Sequence, residues 1–192
     1  LSDASVPAPT YIDMMRHNLL RNRVLSEGSS LKWVFLAGLL VLTPLLAMFL
    51  RNNRQHLPKA AFALALLPFI EMRLNVTASP YTWPTWPGFV SGIDISLTDG
   101  LAIAMIFAST RIKTPLRLKL AFSFYVLVFM LSTAVAEIQI PPLFYGWQLI
   151  RVLLVYHAVA RASTMHRDVP VYLLTGLIAG LSVQAIVVLQ QK

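Results

Sequence analysis

Arg151 lies inside the apolar run "YGWQLIRVLLVYHAVAR", with His157 deeper in the same run and Arg161 at its end. An ionised side chain at bilayer depth costs at least about 2.5–3.5 kcal/mol on insertion scales, so a retained one marks a site or a partner. Arg151 comes nine residues after Pro142, nominally ~14 Å along a helix. Its long stem lets the guanidinium reach back toward the nearer interface. A planar guanidinium suits two chemistries. It holds a phosphate or pyrophosphate bidentately, or it pairs with a carboxylate on a neighbouring helix, for which Glu71 and Glu137 are candidates. From the residues alone both readings stay open.

The other polar residues near apolar runs carry weaker signals. Glu71 and Asn75, four apart, share a helix face, and Arg73 points elsewhere. They either line a polar cavity or mark the end of a span. Asn75-Val76-Thr77 matches the glycosylation sequon, a short and common pattern. Asp94 and Asp99 flank the entry to an apolar run in "GIDISLTDG", where Asp or Ser ahead of such a run is an ordinary helix N-cap. His157 and Arg161 share one face near the end of their run, where histidine is ordinarily a hydrogen-bonded packing residue. His17, His56 and His166 fall in links, and no two histidines have zinc-ligand spacing on one helix. With no cysteine there is no disulfide framework, thiolate nucleophile or Cys-based metal site. There is also no Gly-rich phosphate loop, no Ser/His/Asp set that can be placed together, no internal repeat and no metal cage. No metal or cofactor is expected.

The elements that position these residues follow from composition. Of 192 residues, 57% are hydrophobic and 12% charged, with a mean hydropathy of +0.67. Soluble domains average about 45–50% apolar and about 25% charged. The excess sits in separate runs, several near the ~20 residues that a bilayer crossing needs. The expected fold is therefore all-α, a polytopic transmembrane bundle of about six spans, near 31–50, 60–78, 89–109, 120–136, 142–160 and 169–189. Thr43-Pro44 predicts a kink in the first, since proline removes a helical hydrogen bond. The third begins near Phe89 or Leu97. Gln184 lies in the sixth.

Charge in the links alternates. "RNNRQHLPK" (51–59), "TRIKTPLRLK" (110–119) and "RASTMHRD" (161–168) are basic, whereas 79–96 and 137–141 contain no Lys or Arg. Positive charge in short loops marks the cytoplasmic side. The net charge of +8 thus reflects membrane topology and not nucleic-acid binding. Loops 79–96 and 137–141 are expected on the opposite, periplasmic face. There Tyr81, Trp83 and Trp86 suit an aromatic belt, and the prolines keep the first loop non-helical. Residues 1–30 read equally as a linker or as an interfacial amphipathic helix presenting Tyr11, Met15 and Leu19 on one face. The sequence opens on Leu1 and stops at "VVLQQK" directly after an apolar run, so a piece of a longer protein is expected.

Three segments, in order, carry a resemblance: "WPTWPGFVSGIDISLTDGLAIAM", "WQLIRVLLVYHAVAR" and "LLTGLIAGLSVQAIVVLQQ". Together, over about Phe62 to Gln190, they resemble the amino-terminal half of the O-antigen ligase family, which includes O-antigen and exopolysaccharide polymerases. The resemblance implies a bacterial inner-membrane glycosyltransferase, independent of metal and nucleotide sugar. Such an enzyme moves a glycan from an undecaprenyl-pyrophosphate carrier to lipid A-core or to another glycan at the periplasmic face. The family's main catalytic Arg and His positions would fall beyond residue 192, leaving this stretch inactive alone. Arg151 matches the basic residue of the second pattern, and the resemblance implies that it helps hold the carrier pyrophosphate. Glu71, Arg73 and Gln184 are weaker candidates for lining the same cavity. A transporter or flippase for a lipid-linked or anionic solute, or a non-catalytic envelope scaffold, remains consistent with the residues. Partners are thus the bilayer and the carrier-linked glycan, with the oligomeric state undetermined.

Overall fold

A computed structural model of the chain describes residues 29–74, 77–82, 92–109, 119–136 and 140–190. Six helices account for most of them: α1 (Ser29–Asn52), α2 (Leu57–Leu74), α3 (Leu97–Ala108), α4 (Lys119–Val135), α5 (Ile140–Met165) and α6 (Val169–Gln190). A 3-10 turn, Arg54–His56, joins α1 to α2, and two strands, β1 (Thr77–Thr82) and β2 (Gly92–Ser96), stand between α2 and α3. Lys32–Asn52, Pro142–Met165 and Val169–Gln190 are long and apolar enough to cross a membrane, and α3 and most of α4 are shorter apolar helices. The helical character expected from the sequence is present, and among the described residues three helices are long and apolar enough to cross a membrane, where six spans were expected. The amino-terminal 28 residues and Trp83 and Trp86 lie outside the described residues, as does nearly all of the basic link 110–119.

Local sequence sets the boundaries. Pro58, Pro141, Pro142 and Pro170 occupy the first turns of α2, α5 and α6, where a missing N–H costs nothing because those donors have no intrahelical partner. Pro44 lies within an uninterrupted α1, and the Thr43 hydroxyl donates to the Leu39 carbonyl at 2.7 Å. Helix α5 begins earlier and ends later than the expected 142–160, absorbing Arg161 and most of the link that follows. Only a short turn at 166–168 then separates it from α6.

The second and third expected spans need larger corrections. Helix α2 stops at Leu74 and not near 78, and Ala78 belongs to β1. The third helix begins at Leu97, and the residues before it form β2, antiparallel to β1 with Thr77 opposite Ser96 and Thr82 opposite Gly92. The alternating, β-branched "GIDIS" favours a strand. Ser96 and Asp99 then form a capping box, a local helix-start signal. At 12 residues, α3 is ~18 Å long, well short of the ~30 Å hydrocarbon core.

Helices α2 and α6 run parallel in close contact. A Cβ at Gly176 would collide with the Phe62 carbonyl oxygen, and one at Gly180 with the Phe69 ring. Small residues four apart permit such backbone approach, the main packing device between helices in lipid. Helix α3 fills the space between α1, α2 and α5. Leu50, Leu57, Leu64, Leu101, Met105, Ala158, Ala162 and Val169 form the core there. Gly100 admits α1 closely, since a Cβ on it would sit 2.7 Å from Leu39 Cδ1.

Candidate functional site

One face of α5 carries Phe144, Trp147, Gln148 and Arg151, spaced three or four apart so that they stack along the helix. The strands lie against that face in register. The Phe144 ring, 1% exposed, meets Tyr81 of β1 with centroids 6.0 Å apart. One turn on, Trp147 Nε1 donates to the Asp94 carbonyl of β2 at 2.7 Å. The Asp94 carboxylate itself accepts from the Ser79 hydroxyl across the strand pair. A further turn on, Arg151 reaches the start of α3.

Every nitrogen of the Arg151 guanidinium is engaged. Nε donates to Asp99 Oδ1 at 2.8 Å, Nη2 to Ser96 Oγ at 2.9 Å and Nη1 to Gln148 Oε1 at 3.2 Å. The other carboxylate oxygen, Asp99 Oδ2, accepts from the Ser96 backbone N–H at 2.9 Å and from Ser96 Oγ at 3.1 Å. Asp99 therefore does two jobs: it completes the helix cap and neutralises the arginine. The carboxylate also sits in the first turn of α3, where the helix dipole favours negative charge. Its side chain is 4% exposed and that of Arg151 22%. Among the described residues, these bonds use one N–H on each guanidinium nitrogen, which leaves a second N–H on Nη1 and on Nη2.

Among the described residues Arg151 has a carboxylate partner that the sequence had offered only as a helix cap. Arg151 is paired with a carboxylate on a neighbouring helix, and that carboxylate is Asp99. Glu137 lies outside the described residues, as do Asn75 and the side chains of Glu71 and Arg73 at the end of α2. Gln184 donates to the Phe69 carbonyl at 3.0 Å, so it ties α6 to α2. Ser96, Trp147 and Gln148 are site residues that sequence reasoning did not single out. Two signals pointed to them: the spacing of the α5 stripe, and the need of a buried cation for an anion at its own depth.

Arg151 lies eleven residues beyond Ile140, the first residue of α5, or ~16 Å along the helix axis. Strand β2 descends beside these turns, and α3 starts at the level of Arg151. An extended segment followed by a short apolar helix thus stands between α2 and α4, and the α5 stripe and β1 pack against the strand.

His157 lies deeper in α5 and is half-buried, as is Arg161. The Arg161 Nε is buried without a hydrogen-bond partner among the described residues. His166 and Asp168 face each other at 3.6 Å on the surface. No group of three or more His, Asp or Glu that could hold a metal occurs among the described residues. The cluster joins "GIDISLTDG" to "WQLIR" across 52 residues. It can hold a fixed positive group at the foot of an aromatic-lined strand pair. No protein-family model, curated protein or solved structure matches this chain.

Proposed function

We propose that this chain is the amino-terminal helical module of a bacterial inner-membrane glycosyltransferase of the O-antigen ligase/polymerase type. It engages a glycan carried on undecaprenyl pyrophosphate at the periplasmic face. The observation that supports this reading is the Asp99–Arg151 pair. Two of the three sequence segments that carry the resemblance meet in one hydrogen-bonded cluster. In this reading the two uncommitted N–H groups of Arg151 face the carrier pyrophosphate. A positive group held there by Ser96 and Asp99 stabilises charge as the pyrophosphate departs, without reorganising during the step. Because Asp99 offsets part of that charge, the contribution is directional hydrogen bonding more than net attraction. The basic turns at 51–59 and 161–168 lie at one end of the parallel α2–α6 pair, and the strands lie at the other. That segregation supports a cytoplasmic basic end and a periplasmic strand pair.

The test uses the full-length protein in its own cells. Deleting the gene is expected to leave carrier-linked glycan untransferred on the outer leaflet. Complementation with Arg151→Ala should fail, and Arg151→Lys should restore only part, because an ammonium lacks the fork that meets Ser96 and Asp99 together. Full transfer by both variants would sink the role of Arg151.

A second reading, transport of a lipid-linked or anionic solute, is favoured by one observation. Strand β2 followed by the half-length α3 is a discontinuous crossing, the kind of element that lines sites in secondary transporters. The same deletion separates the two. Loss of a transporter traps the carrier-linked glycan on the inner leaflet, and loss of a transferase strands it on the outer one.

A further inference from the structure

We propose that the wedge between α1 and α2 is a binding site for an anionic phospholipid of the leaflet at the basic end of the molecule. Its phosphate sits on Lys59 and His56, and one acyl chain lies along the crevice. Helices α1 and α2 separate from the tight turn at Arg54–His56, and α3 floors the gap between them. The resulting crevice has a volume of about 540 Å³ and is lined along its walls by Leu42, Leu46, Phe49, Ala63 and Leu67. Leu50 and Ala60, 2% and 8% exposed, line it near the turn.

Length and charge identify the occupant. The lining on α1 runs from Leu39 to Phe49, a rise of ~15 Å. That is half of the ~30 Å hydrocarbon core, the depth of one leaflet. An acyl chain starting at the closed end therefore fits the crevice along its whole length. At that end Lys59 and His56 belong to the lining. His56 is held by stacking on Phe49, with ring centroids 5.5 Å apart and planes 8° from parallel. Arg51 and Arg54 flank the same turn, exposed, and none of the crevice residues is acidic.

On the other flank of α2 a second crevice of about 470 Å³, lined by Phe62, Tyr172 and Thr175, again ends on Lys59. An apolar helix laid in the wedge would seal the ammonium against hydrocarbon with no counter-charge, which is costly. A phosphate headgroup supplies the counter-charge and its chain supplies the apolar contact. Basic pockets between helices at a membrane surface have this chemistry.

The experiment is native mass spectrometry of the full-length protein released from vesicles containing equal phosphatidylglycerol and phosphatidylcholine. Wild type is expected to retain phosphatidylglycerol in preference. Lys59→Gln with His56→Gln should lower that retention about fivefold, the worth of the one lysine charge, leaving phosphatidylcholine unchanged. Ala63→Phe, which fills the crevice without touching a charge, should abolish retention of the lipid. Arg51→Gln with Arg54→Gln should leave it largely in place.

Equal retention of the two lipids by wild type overturns the proposal. So does loss of preference in the Arg51/Arg54 variant but not in the Lys59/His56 variant, which would show diffuse surface attraction. Unchanged lipid binding by Ala63→Phe overturns it as well. If a second copy or another segment covers the wedge, Leu42→Cys will resist a maleimide in delipidated protein, and that result also overturns it.

Discussion

Arg151 and Asp99, 52 residues apart in the chain, meet at 2.8 Å between Nε and Oδ1 at the first turn of α3. The carboxylate is almost fully buried, so removing the arginine leaves an anion without its partner. Breaking such a pair from one side is destabilising by about 3–5 kcal/mol. Arg151→Ala should therefore lose about 3 kcal/mol, the low end, because the guanidinium keeps some exposure. Asp99→Asn combined with Arg151→Ala should recover part of that loss. Thermal unfolding of the single and double variants gives the coupling. Additive losses would show that the pair is not coupled. Recovery of stability without recovery of glycan transfer would separate the proposed role of Arg151 in that reaction from its structural one.

The α2–α6 contact distinguishes two glycines only four residues apart. A methyl group at Gly176 meets backbone, the Phe62 carbonyl, whereas one at Gly180 meets the ring of Phe69. A side chain can turn aside and a helix backbone cannot. Gly176→Ala should cost about 2–3 kcal/mol, in the range of overpacked cores, and Gly180→Ala distinctly less. Equal unfolding midpoints for the two would contradict this packing.

Trp147 fastens the strand pair to α5 through its bond to the Asp94 carbonyl. Trp147→Phe keeps the ring and removes the donor, at a cost of about 1 kcal/mol. Hydrogen exchange should then quicken in 92–96 while the α2–α6 pair keeps its protection. Uniform quickening would place the effect on global stability.

Orientation can be read chemically because the chain has no cysteine. Gln55→Cys, in the exposed turn between α1 and α2, and Pro80→Cys, exposed in β1, lie at opposite ends of the bundle. In intact spheroplasts a membrane-impermeant maleimide should label position 80 and spare position 55. The reverse pattern would invert the topology, and labelling of both would argue against a sealed crossing between them.

Much of the architecture was written in short-range signals. The apolar runs of α1, α5 and α6 announce themselves through length and composition, because a bilayer selects for both and little else. Prolines such as Pro58 and Pro170 mark helix starts for a reason confined to one turn of backbone. The alternating charge of the links likewise needs no knowledge of packing. Arg151 stood out on its own, since a guanidinium within hydrocarbon demands an account wherever it occurs.

Its partner could not be found in that way. Asp99 reads locally as a helix cap, and it is one. That the same carboxylate also neutralises Arg151 depends on where α3 starts relative to α5. Strand β2 sets that depth, and β2 lies there because β1 pairs with it and the Phe144–Trp147 stripe holds it. Gln184 shows the converse: the resemblance offered it as a cavity-lining residue, and the close approach permitted by Gly176 and Gly180 brought it to the Phe69 carbonyl. Run length and composition determined which of the described helices, α1, α5 and α6, are long and apolar enough to cross a membrane. Which polar groups satisfy one another there was decided by tertiary packing, because a buried donor needs an acceptor in space and chain order does not encode that distance.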